Sequence, residues 1–139
     1  MYSDTITLFN LHRGVWHSHK LSGVDAVGLA DRSTATALNG SVKNDTGVIL
    51  VQSDETRKIG PLQYIEPKQY KAAEDVTNLI TFNTESDFIV LGDHSTAPIM
   101  DDGYTDGYYD DINSRLDGVY KITAASFYLL IPHFEIEVR

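Results

Sequence analysis

The chain contains no cysteine, and this absence excludes disulfide bonds, thiolate zinc sites and cysteine nucleophiles. Basic residues are also few: 11 lysines and arginines stand against 20 aspartates and glutamates, for a net charge of -9 at pH 7. A surface that binds nucleic-acid phosphates needs clustered cations. We therefore expect no tight binding of nucleic acid.

Long apolar runs and familiar catalytic loops are missing as well. The sequence has no stretch of about 18 consecutive apolar residues, the length that a transmembrane helix needs, and its start lacks the basic and apolar segments of a signal peptide. It has no P-loop, no Gly-x-Gly-x-x-Gly and no Gly-x-Ser-x-Gly motif. We expect no membrane span, no enzyme activity and no cofactor.

The composition that is present predicts one folded β domain over residues 1–139. With 139 residues and 42% hydrophobic residues, the chain can build one real core. Its apolar runs are short, rich in β-branched and aromatic residues, and separated by Asp, Asn, Gly and Ser. The fold class that this favours is mostly β, a small barrel or sandwich with at most one short helix. The predicted strands cover residues 6–11, 15–21, 24–29, 33–38, 47–51, 62–65, 79–82, 88–91, 119–123, 127–131 and 134–138, and the predicted helix covers 67–76.

The last predicted strand places the end of the chain in the core. Phe134, Ile136 and Val138 alternate with Glu135 and Glu137. This period of two is typical of a strand with one buried and one exposed face.

Two segments between the strands are predicted as loops, a short one at 39–46 and a long one at 94–114. The long loop interleaves aspartates with tyrosines, and an irregular segment of this length in a compact domain is usually functional or mobile. Tyrosine among small polar residues is typical of contact surfaces, because it offers a large apolar area with little rotamer entropy. The predicted interface residues are Asp101, Asp102, Tyr104, Asp106, Tyr108 and Tyr109.

Two patterns contain residue types that bind metals, the acidic loop and the pair His17 and His19, but neither pattern predicts a metal site. If Asp102 and Asp106 took the first and fifth positions of an EF-hand, Tyr104 would fall at the third position and Asn113 where a bidentate Glu is needed. His17 and His19 would face the same side of a strand and could share a metal, but the sequence identifies no third ligand.

Several segments together resemble the small structural proteins that tailed bacteriophages encode in their morphogenesis gene clusters. The resemblance is to the head closure (stopper) or head-tail connector type, and it rests on the order of the segments. Ser86 stands where many of those proteins have Gly, and the acidic tyrosine-rich loop has no counterpart. The matching segments are residues 4–10, 28–31, 64–70, 81–82, 86–93, 119–122 and 133–138.

The resemblance implies a small β-barrel subunit of the virion, assembled in the cytoplasm of a bacterial host. Such subunits form a homo-oligomeric ring at the phage neck and contact portal or adaptor proteins on one side and tail proteins on the other. DNA would pass through the ring without specific binding, since negative charge repels its phosphates. No catalysis is implied.

Three alternatives stay open at this point. A tail completion, terminator or minor tail protein would form a ring at the same junction. An acidic inhibitor that mimics DNA would bind a basic partner and be absent from virions. A small carbohydrate-binding β-sandwich would present an aromatic platform to glycans.

Overall fold

The computed structural model describes residues 2–27, 29 and 46–139. Within this part the chain forms mostly strands, with two short α-helices and one turn of 3-10 helix at Asp101–Gly103. The strands are β1 (Asp4–His12), β2 (Val15–Val27), β3 (Gly47–Gln52), β4 (Lys58–Ile59), β5 (Leu62–Tyr64), β6 (Leu79–Ile80), β7 (Phe88–Leu91), β8 (Ile99–Met100), β9 (Val119–Tyr128) and β10 (His133–Val138). The helices are α1 (Pro67–Ala72) and α2 (Tyr108–Arg115).

Six of the described strands close into an antiparallel barrel, which confirms the predicted mostly-β class. Around the barrel the order is β1-β7-β9-β10-β3-β2, and β2 pairs back to β1. The tight turn between β1 and β2 consists of Arg13 and Gly14, with φ of 51° and 79°. Positive φ at both central residues is the turn geometry that matches the twist of a hairpin.

Strand β2 is bent, and this bend allows the barrel to close. Its first part pairs with β1 as far as Val24, and from Val24 onward it pairs with β3. Gly23, with φ of 65°, is the extra residue between the pairs Thr5 with Ser22 and Asp4 with Val24. An extra residue of this kind is a β-bulge, which bends a strand and increases its twist. The sequence predicted two strands here, and the structure joins them through the bulge.

The barrel is filled with side chains. The alternation predicted for the last strand is confirmed, since Phe134, Ile136 and Val138 are buried. Other buried residues of the same core come from the remaining barrel strands: Ile6, Leu8, Leu21, Val24, Ile49, Val51, Ile89, Tyr120 and Ile122.

A second apolar cluster lies on the outside of the barrel, where α2 packs. Tyr108 and Ile112 of the helix share this cluster with Phe9, Phe88 and Val90 of the barrel wall. Strand β7 is therefore covered on both faces, which explains its uninterrupted apolar sequence.

The small sheet β4-β5-β6 closes one part of the core through aromatic contacts. The Tyr64 ring lies 4.8 Å from that of Phe134, and the Phe82 ring lies 5.1 Å from it. Helix α1 connects β5 to β6 and starts with Pro67 at its first turn, behind a capping box formed by Glu66 and Gln69. It ends at Ala72, before the predicted end at residue 76.

The segment predicted as the long loop 94–114 is not structureless. It contains β8, the 3-10 turn and the first seven residues of α2. Sequence periodicity missed this helix because only Tyr108 and Ile112 bury apolar surface on it. The described part of the domain therefore contains the eight-residue α2 in addition to the single turn and a half of α1.

The C-terminal strands also differ from the prediction. Residues 119–123 and 127–131 were expected as two strands, but β9 runs unbroken to Tyr128, and residues 129–132 form the turn into β10. The predicted strand 33–38 and nearly all of the predicted loop 39–46 lie outside the described residues.

Candidate functional site

Asp101, predicted as an interface residue, has an internal role. Its Oδ1 accepts a hydrogen bond from Trp16 Nε1 at 2.8 Å and another from the backbone N of Tyr108 at 2.9 Å. The carboxylate thus ties β2 to the first residue of α2 and satisfies a helix N–H that has no partner inside the helix. Trp16 is itself a packing residue, with its ring 5.0 Å from that of Phe88.

The three predicted contact tyrosines pack on their own barrel. Tyr108 is only 6% exposed and lies 5.6 Å from Phe9, so it belongs to the core and cannot serve as a docking side chain. Tyr104 packs on Tyr108 at 5.1 Å between ring centroids. Tyr109 contacts Phe88 and carries the Lys121 ammonium 4.7 Å from its ring centroid.

The two remaining predicted residues, Asp102 and Asp106, are exposed. Their role at an interface stays a prediction. They contribute negative charge beside α2, where Asp110 is exposed as well and Asp111 pairs with Arg115 at 3.1 Å.

His17 and His19 lie with His12 around a hollow of about 340 Å³ beside the β1-β2 hairpin. Among the described residues, no group of three or more His, Asp or Glu is arranged to hold a metal ion. His12 Nε2 donates a hydrogen bond to the carbonyl of Ala73 at 2.7 Å. Burial, reinforced by the neighbouring His17, lowers the pKa of His19 to about 4, and burial with His12 nearby lowers the pKa of His17. Both histidines are therefore neutral at pH 7.

Asp87 is the most completely bonded polar residue of the core, and sequence reasoning missed it. Its Oδ1 accepts from the backbone N of Leu11 at 3.0 Å and from Ser86 Oγ at 2.9 Å. Its Oδ2 accepts from Asn10 Nδ2 at 2.8 Å and from the backbone N of Asn83 at 3.0 Å. Burial raises the pKa of Asp87 to about 6, against the opposing effect of these four donors.

The hydrogen bonds of Asp87 give it a structural role. Two donors occupy each carboxylate oxygen, so the group holds β1 to the turn before β7. Asn10 extends the network by donating to the carbonyl of Thr81 at 2.7 Å. A sequence signal existed in the polar cluster Asn83 to Asp87 directly before an apolar strand, although nothing in it indicates burial.

Among the described residues, four of the six exposed large hydrophobic side chains are consecutive and lie at the turn between β9 and β10. We call Tyr128, Leu129, Leu130 and Ile131 the hairpin tip. Their exposed fractions are 46%, 62%, 96% and 74%. The sequence analysis placed all four of these residues in the predicted strand 127–131, although four apolar residues in a row before a proline were the available signal.

A groove lies along one edge of β2. We call it the β2 groove: one wall is the strand edge at Ser18, Lys20 and Ser22, and the other is the β4-β5 turn from Ile59 to Leu62. Its two hollows measure about 520 and 490 Å³. Both lie in the range of about 300–1,000 Å³ that is typical of sites occupied by a ligand.

No family model, curated protein or solved structure matches the chain. Within residues 2–27, 29 and 46–139, no helix has the length and apolar character that crossing a membrane requires.

Proposed function

We propose that this protein is a structural subunit of the bacteriophage neck, a head closure type of connector that forms a homo-oligomeric ring around the DNA channel. The observation that carries the proposal is the hairpin tip, where Leu130 is 96% exposed between two other exposed aliphatic residues. Contiguous apolar surface on a soluble domain marks a site of interaction. The tip is therefore an assembly surface.

The charge of the chain supports a ring around DNA. The net charge is -9, and exposed carboxylates such as Asp102, Asp106 and Asp110 add to a negative surface. Such a surface repels phosphates and lets a DNA duplex slide past without binding. The hairpin tip contains no charged residue, so copies of an acidic protein can meet there without strong repulsion.

The polar residues of the core also support a structural role. Asp87 is saturated by four donors, and Asp101 holds Trp16 and the start of α2. Burial lowers the pKa of His17 and His19, so these two histidines are neutral at pH 7. Asp87 and Asp101 stabilise the barrel through hydrogen bonds within the chain.

The test is antibody-gold labelling of purified phage particles, scored by position along the head-tail axis in the electron microscope. The proposal predicts label confined to the neck. Label along the tail or at its end would overturn the head closure role in favour of a tail completion protein. Absence of label on particles with an accessible epitope would overturn the virion role and favour an acidic inhibitor.

A further inference from the structure

The hairpin tip needs a partner surface, and the same molecule carries one that is complementary to it. The tip offers aliphatic side chains without charge. The β2 groove offers the exposed Pro61 and the half-buried Leu62 on one wall, above the buried core residues Ile59 and Leu21. Contact of aliphatic side chains with such a wall removes apolar surface from water, which is favourable.

The strand edge in the groove has unpaired backbone groups. The turn between β1 and β2 has two residues, and His12 and Val15 form the pair that flanks it. From this pair onward, every second residue of β2 bonds to β1, and the N–H and C=O groups of the residues between them point away from β1. Ser18, Lys20 and Ser22 are the residues that point away. Among the described residues no strand pairs with this edge between Trp16 and Val24.

The hairpin itself has a free edge of the same kind. Strand β9 pairs with β7 only as far as Lys121, while its pairing with β10 continues to Tyr128. Its outer edge from Ala124 to Tyr128 is therefore unpaired within the described part of the chain. Two free strand edges on one molecule can add to each other between copies, which is a common mode of recognition.

The tip and the groove lie on opposite sides of one short segment. The carbonyl of Pro132, next to the tip, accepts a hydrogen bond from the backbone N of Ser53. Ser53 also lines the groove, and from there the chain continues to Ile59 on the groove wall. Arg57 lies between them, with its guanidinium 5.3 Å from the Phe127 ring at the base of the tip.

We propose that the hairpin tip of one copy docks in the β2 groove of the next copy, with the free edge of β9 alongside that of β2. Two different surfaces meet in such a contact, so an open assembly of any length keeps one free tip at one end and one free groove at the other until it closes. A heterologous contact repeated by rotation builds a ring. This inference rests on the proposed function, because it names the contact from which the neck ring would be built.

Charge beside the tip gives a membrane no advantage as its occupant. Asp54 and Glu55 follow Ser53 directly, and the exposed Arg57 and Lys58 balance their charge. Membrane surfaces that attract proteins are anionic and recruit clusters of Lys and Arg. The segment between the tip and the groove has no such cluster.

The test is disulfide trapping, for which the cysteine-free chain is well suited. The double variant Leu130→Cys with Ser22→Cys places one thiol on the tip and one on the groove edge. Purified protein is oxidised mildly over a concentration series and separated on non-reducing gels. We expect a ladder of dimers, trimers and larger species. The matched control pairs Leu130→Cys with Glu85→Cys, an exposed residue outside the groove, and should cross-link more slowly.

Two results would overturn the docking contact. One is the absence of any ladder beyond the control at every concentration. The other is equally rapid dimer formation by the single variant Leu130→Cys, which would indicate contact between two tips. Gold label at the neck without a ladder would reject the docking contact and leave the proposed neck role standing. A ladder without label at the neck would support the docking contact and reject the neck role.

Discussion

In two tyrosine-containing segments of this protein, the exposure of the side chains is the opposite of what the composition suggests. The acidic segment from Asp101 to Asp111 has the polar and aromatic mixture of a contact loop, yet Tyr108 is buried and Asp101 bonds inward. The hairpin tip has the composition of a core strand, yet Leu130 is almost fully exposed. Composition predicts what a residue can do, whereas topology decides which surface it meets.

The largest effect on stability is expected from a change at the buried Tyr108. Tyr108→Ala removes the ring that packs on Phe9 and Phe88 and leaves a cavity. Aromatic-to-alanine changes in cores cost about 3–5 kcal/mol of unfolding free energy. Urea denaturation followed by Trp16 fluorescence measures the change. The matched variant Leu130→Ala should alter the unfolding free energy by less than about 0.5 kcal/mol. Equal losses would contradict the assignment of Tyr108 to the core.

The next effect concerns the buried carboxylate that the sequence did not reveal. In Asp87→Asn, an amide NH₂ replaces one oxygen that accepts two hydrogen bonds, so donors face donors. A buried polar group left unsatisfied costs about 1–3 kcal/mol, and the variant should unfold at correspondingly lower urea. Asp102→Asn, which alters an exposed carboxylate, is the control and should leave the midpoint unchanged. A stable Asp87→Asn protein would mean that the carboxyl group is protonated in the native state.

A smaller effect is expected from pH. The pKa of His19 is lowered from 6.5 to about 4 in the folded protein, so the unfolded chain binds more protons between these values. The stabilising contribution is complete above pH 6.5 and is lost as the pH falls toward 4. Between pH 7 and 5 this loss amounts to about 1–2 kcal/mol.

His19→Gln should remove this loss, so the difference in urea midpoint between the variant and the wild-type protein should change between pH 7 and 5. Asp87 acts in the opposite direction, because its raised pKa of about 6 adds stability below 3.8 that is lost as the pH rises through 6. An unchanged slope in His19→Gln would show that His19 is not the group that titrates.

The smallest effect on stability is expected at the tip itself. Leu130→Asp replaces a side chain that is 96% exposed, so the free energy of unfolding should change by less than about 0.5 kcal/mol. The same variant should lose the cross-linked ladder when it is combined with the cysteines Ser22→Cys and Ile131→Cys. A marked loss of stability would show that the tip is packed against its own chain.

Much of the barrel could be predicted from the sequence because its strands alternate or run apolar. The last strand, β7 and β3 were found close to their observed bounds. Helix α2 was not found, since its two buried positions depend on a barrel wall formed by residues far away in the sequence. The sequence predicted a break between two strands at Gly23, where the structure has a β-bulge, because a glycine within an apolar pattern is typical of either feature.

The candidate site was harder to predict than the fold. Exposure of the hairpin tip depends on where β9 ends and on which strands flank it, and neither is local information. Two of the four donors of Asp87 come from Asn10 and Leu11, far away in the sequence, so no local motif indicates the complete network. The role of the acidic segment could not be predicted, because an aspartate that caps a helix and an aspartate that contacts a partner look the same in a sequence.

The most direct measurement of the central claim compares incorporation of two variants into phage particles. A phage lacking the gene is complemented with the wild-type protein, with Leu130→Asp, or with the double variant Asp102→Ser and Asp106→Ser, and the protein content of purified particles is quantified. We predict that Leu130→Asp folds but is absent from particles, and that the double variant is present at the wild-type level. Incorporation of Leu130→Asp together with loss of the double variant would contradict the account and return the interface to the acidic segment.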